Sequence, residues 1–127
     1  MQEFETLIEN AKKILDERTA ARDQALTQAR QLTRLSAHTI RAIHRDESDK
    51  AQELLMEARV LTLNIQRDLA AFPDLYYAGY TQDAIKKFAE ASLTVALIEN
   101  TPIPTPEDLG IEIGRAHVRS QSHGGTD

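Results

Sequence analysis

The sequence predicts an all-α protein: a three-helix antiparallel bundle with one long first helix, completed by oligomerisation. Three observations carry this. All four prolines lie at or after Pro73 and the first glycine is Gly79, so residues 2–72 hold no strong helix breaker. Apolar residues then recur with helical period. Finally, the stretch after Thr81 is apolar around almost its whole circumference, the pattern of a helix packed on several sides.

The first helix is expected over 3–45. At 100° per residue, Phe4, Leu7, Ala11, Ile14, Ala25, Ala29, Leu32, Ile40 and Ile43 form one connected stripe. Arg18 and Arg22 interrupt it, marking either a bend or the point where the helix projects past its neighbours. The second helix begins at Asp46-Glu47-Ser48-Asp49, which supplies cap candidates and first-turn acids. It carries Leu54, Ala58, Leu61, Ile65, Leu69 and Phe72, and should stop at the Phe72-Pro73 step, because proline disfavours helix in the residue before it. The third helix should be capped by Thr81 and run to about Asn100, with Phe88, Leu93, Leu97 and Ile98 among its apolar residues. In Thr105-Pro106-Glu107-Asp108 a cap is followed by first-turn residues, and Gly110 ends the pattern early. The organisation read from this is one helical domain over 1–112 and a flexible carboxy-terminal tail over 113–127.

At 127 residues the chain suits one small domain. It contains no cysteine, so a disulfide framework and a thiolate metal site are excluded, and the reducing cytoplasm is the expected compartment. No run is long and apolar enough for a membrane span, and the first residues lack the basic and unbroken apolar regions of a signal peptide. The net charge of −5 argues against a uniformly positive field but not against a local basic patch.

Such a patch exists. Arg30, Arg34, Arg41 and Arg45 fall on one face of the first helix, opposite the stripe, with His38 beside them. Upstream on that face Glu5, Glu9, Asp16 and Asp23 take their place. Guanidinium groups spaced by whole turns suit successive phosphates, each fork binding two oxygens. The alternative is that the acidic and basic halves pair between antiparallel copies of the helix. Tyr76, Tyr77 and Tyr80 either stack on bases or close a core. No nucleophile–base pair, glycine-rich phosphate loop or carboxylate cluster is present, so no catalytic residue, cofactor or metal ligand is assigned. The carboxylate pairs Glu53/Glu57 and Asp83/Glu90 read as ordinary helix-surface residues.

The blocks QLTRLSAHTIRAIHRDE (31–47), FPDLYYAGYTQDAIKKFAEASLTVAL (72–97) and TPIPTPEDLGIE (101–112), in this order and spacing, resemble the amino-terminal half of translin-family proteins, especially prokaryotic ones. The resemblance implies an all-α fold, assembly into closed multi-subunit shells and binding of single-stranded RNA or DNA, with ribonuclease activity in some members. Nuclease-competent members carry two glutamates three residues apart in the third helix. Here Lys87 holds the first position and only Glu90, the second, remains. A two-metal site needs several convergent carboxylates, so metal-dependent ribonuclease is a remote alternative. The similarity fades near Glu112, where relatives continue with further helices. The expected function is therefore single-stranded nucleic-acid binding as a non-catalytic homo-oligomer; the alternative is an assembly domain that has lost its ligand. A monomer would leave Phe88, Leu93 or Leu97 partly in water, so these are the expected oligomer contacts, with a symmetric dimer the simplest form.

Overall fold

The computed structural model describes residues 1–111, which hold five helices and no strand: α1 (Gln2–His44), α2 (Ser48–Asp68), α3 (Pro73–Tyr76), α4 (Gly79–Glu99) and α5 (Pro106–Leu109). The segment 113–127, read above as a tail, lies outside the described residues. α1 is the spine. Its second half packs against both α2 and α4, which touch each other over a smaller area. Ala25, Ala29 and Leu32 of α1 share a cluster with Ala58, Leu61 and Ile65 of α2 and Ala84, Ile85 and Phe88 of α4. Nearer the end of α1, Ala42 and Ile43 meet Ala51 and Val95. α2 therefore runs against the direction of α1, and α4 runs with it.

Alanine dominates the helix contacts and lets the backbones approach closely: Ala25, Ala29, Ala42, Ala51, Ala58, Ala84, Ala91 and Ala96 are all buried. Four buried hydroxyls lie among them and are satisfied within their own helices. Ser36, Thr39, Thr62 and Ser92 donate to the carbonyls of Leu32, Leu35, Ala58 and Phe88, at 2.8, 2.8, 2.8 and 3.0 Å. These four hydroxyls thus enter the core at little cost, whereas the buried Gln28 Oε1 and Tyr80 hydroxyl have no hydrogen-bond partner among the described residues.

The turns follow local chemistry. α1 closes with Asp46 in the left-handed region, φ 62°. There the Glu47 N–H reaches the Ala42 carbonyl at 3.0 Å and the Asp46 N–H reaches that of Ile43 at 3.3 Å, a Schellman closure. α5 has the predicted cap: the Asp108 N–H donates to Thr105 Oγ1 at 3.2 Å, and the Thr105 N–H donates to the Asp108 carboxylate at 2.9 Å. Gly110, φ 73°, ends it, and Leu109 and Ile111 turn back onto the core.

Three sequence expectations need correction. α2 ends at Asp68 rather than Phe72, because the chain turns over the end of the molecule before Pro73 opens α3. Thr81 is not a cap: α4 begins at Gly79, with Ala78 at its N-cap. The Thr81 side chain is buried and donates to the Leu75 carbonyl at 2.9 Å, tying α4 to α3. Phe88 does not lie in water in a single chain. Its exposure is 0%, covered by α1 and α2, whereas Leu93 and Leu97 are 37% and 65% exposed.

The interrupted stripe of α1 resolves into a projection. Residues 1–20 are all exposed, Ala21 is the first partly buried residue and Ala25 the first fully buried one. α1 is one unbroken helix whose first part, roughly 28 Å long at 1.5 Å per residue, overhangs the body. Arg18 marks the boundary, pairing with Asp74 at the start of α3.

Candidate nucleic-acid interface

Arg30, Arg34, His38 and Arg41 on α1 and Arg45, the residue that caps it, are all exposed. Their span of fifteen residues corresponds to about 22 Å along the helix. Among the described residues the ion pairs are Arg18–Asp74, Arg67–Asp68 and Lys87–Glu90, so none of the four ridge arginines is neutralised by a carboxylate.

The structure gathers the lower part of the ridge and adds to it. His38, Arg41 and Arg45 line an open cleft of about 320 Å³, whose other walls come from Ala42, Glu47, Lys50 and Leu54. Arg30 and Arg34 lie farther along α1, outside the cleft. Lys50 is the residue that sequence reasoning missed. It sits in the first turn of α2 and comes beside the end of α1 because the Asp46 closure reverses the chain in three residues. The signal was present in the shortness of the interhelical segment, which places the first turn of one helix against the last turn of the other. Three certain cations, a histidine and one rim carboxylate make the cleft electropositive. Its openness suits an extended anion such as a phosphate backbone.

The remaining predicted positions do not join this site. Glu90 pairs with Lys87 at 3.7 Å on the exposed side of α4. Asp83, Glu53 and Glu57 are exposed, and no group of three or more His, Cys, Asp or Glu side chains among the described residues is placed to hold a metal ion. Tyr76 is buried, meets Tyr77 edge to face with ring centroids 5.0 Å apart, and accepts a hydrogen bond from Gln66 at 3.2 Å. The tyrosine cluster thus closes the core near α3 rather than presenting a stacking surface. His117 and His123 lie outside the described residues. No described helix is long and apolar enough to cross a membrane.

Comparisons with known protein families, with curated proteins and with solved structures find no match to this chain.

Proposed function

We propose that this chain is a translin-like protein that binds single-stranded RNA or DNA without catalysis and acts as a homo-oligomer in which its helices complete a larger antiparallel bundle. The observation that carries the reading is the convergence of Arg41, Arg45, His38 and Lys50 on one open cleft, continued along α1 by Arg34 and Arg30, which pair with no carboxylate among the described residues. The three sequence blocks that resemble translin-family proteins support the same ligand. Guanidinium groups at whole-turn intervals hold successive phosphates, and the acids farther along α1 confine the strand to the basic half.

The test is a salt titration of binding to a short labelled single strand. If the four arginines and Lys50 each neutralise one phosphate, the log–log slope is about −3.5, from roughly 0.7 per contact on single strands. Absence of binding at low salt overturns the reading. A second reading, an assembly domain without ligand, is favoured by one observation: Met56, Val60, Leu93, Leu97 and Ile98 leave apolar side chains on the outer faces of α2 and α4. It predicts an oligomer that ignores oligonucleotides. Metal-dependent ribonuclease chemistry is the remote third reading, with Glu90 engaged by Lys87 and, among the described residues, no carboxylate cluster gathered to hold a metal.

A further inference from the structure

The overhanging part of α1 presents an apolar face that no described part of the chain covers. Phe4, Leu7, Ile8, Ile14 and Leu15 are each at least half exposed, Phe4 by 64%. They stand on the same face that farther along carries the buried residues Ala25, Ala29 and Leu32. A helix of this length without tertiary support is marginal in water, so its apolar seam calls for a partner.

We infer that this partner is the overhang of a second copy of the chain, packed antiparallel with residue 4 of one level with residue 21 of the other. The inference deepens the oligomeric part of the proposed function by naming its interface. Two features of the sequence on this segment select it. The first is charge. Residues 2–11 carry Glu3, Glu5 and Glu9 and no cation, whereas 12–22 carry Lys12, Lys13, Arg18 and Arg22 against Asp16 and Glu17. Antiparallel pairing brings the acidic tip of each copy level with Arg18 and Arg22 of the other, while Glu9 and Asp16 stay on the outer face. Parallel pairing would stack acid on acid at the tips and Arg18 on Arg18 in the seam.

The second feature is side-chain size. In this register Phe4 faces Ala21 of the second copy and Ala11 faces Ile14, so large groups meet small ones along the seam, with Ile8 and Leu15 of each copy beside it. Leu7 meets the aliphatic stem of Arg18, whose head is held by Asp74. A membrane surface fits poorly, because the acids on the polar face of the overhang are repelled by anionic headgroups.

Sedimentation equilibrium of the full chain tests this. The expected mass is twice the chain's 14.2 kDa, and Leu7→Asp with Ile14→Asp reduces it to the single-chain value without moving the thermal transition of the body, which neither side chain touches. Met56→Asp with Leu97→Asp, on the α2 and α4 faces, leaves the dimer intact. The chain has no cysteine, so orientation is read by disulfide trapping: Phe4→Cys mixed with Ala21→Cys forms a covalent pair, and Phe4→Cys alone does not. A wild-type monomer overturns both this interface and the oligomeric part of the proposed function. An oligomer that survives the Leu7/Ile14 substitutions overturns the interface alone, and self-linking of Phe4→Cys overturns the antiparallel arrangement.

Discussion

Replacing Lys50 by alanine separates a binding role from a structural one, because the two predict opposite signs. Lys50 lies in the first turn of α2, where a cation opposes the positive end of the helix dipole. It is exposed and forms no ion pair among the described residues. Alanine has the highest helix propensity and removes the unfavourable charge, so stability should hold or rise by about 0.3–1 kcal/mol. Binding should weaken. If Lys50 neutralises one phosphate, its loss reduces the salt slope by about 0.7, which lowers affinity about fivefold at 0.1 M salt and about threefold at 0.2 M relative to extrapolated 1 M behaviour. Fluorescence anisotropy with a labelled single strand at several salt concentrations reads both quantities, and thermal melting followed by circular dichroism reads the stability. Lys87→Ala is the control, since Lys87 is engaged by Glu90 on another helix, away from the cleft. An unchanged slope for Lys50→Ala would refute the cleft as a phosphate site and return the reading to the arginine ridge alone.

Arg34→Glu combined with Arg41→Glu should abolish oligonucleotide binding while helical content stays intact, since both side chains are exposed; persistence of binding at low salt removes the ridge as the site. Phe88→Ala empties a fully buried aromatic site and should cost about 3–5 kcal/mol in urea unfolding, a large part of a typical 5–15 kcal/mol total. A loss below about 1 kcal/mol would mean that the residue is not packed as described. The Asp108 carboxyl is held below its usual range first by the Thr105 backbone N–H and then by the Thr105 side chain. A carboxyl depressed in the folded state contributes its stabilisation in full above its unfolded pKa and loses it as pH falls through the lower folded value. NMR shifts of Asp108 and Thr105 should therefore report the cap opening in acid below the ordinary carboxylate range, and Thr105→Ala should move that titration upward.

What could be read in the residues was local. The absence of glycine and proline before residue 72 reveals the long helix, Thr105 before Pro106-Glu107-Asp108 reveals a helix cap, and the 100° rule finds the arginine ridge. What escaped depended on which surfaces meet. Periodicity shows that Phe4, Leu7 and Ile14 lie on one stripe with Ala25 and Leu32, but a stripe looks the same whether covered or bare. Only the packing shows that coverage begins at Ala21. Thr81 has the chemistry of a cap, yet its hydroxyl is better used across the α3–α4 step, where Leu75 offers a buried carbonyl. An α4 that is apolar all round implies a partly wet Phe88; the small residues of α1 and α2 bring those helices close enough to enclose it. Lys50 belongs to a different helix from the ridge, and no reading of one helical face at a time could join them.

That α1 runs unbroken from Gln2 to His44 also sets a valency. It separates the tip of the chain from the basic cleft by about 60 Å of continuous helix, too stiff over that length for one end to fold back on the other. In a pair joined tip to root, the two clefts would stand about 90 Å apart at opposite ends, by the same rise per residue. A short strand then occupies one cleft at a time, with two equal and independent sites per dimer. Only a strand long enough to reach both ends gains the effective concentration that linked sites provide, so the length of the nucleic acid, more than its sequence, would decide how tightly it is held.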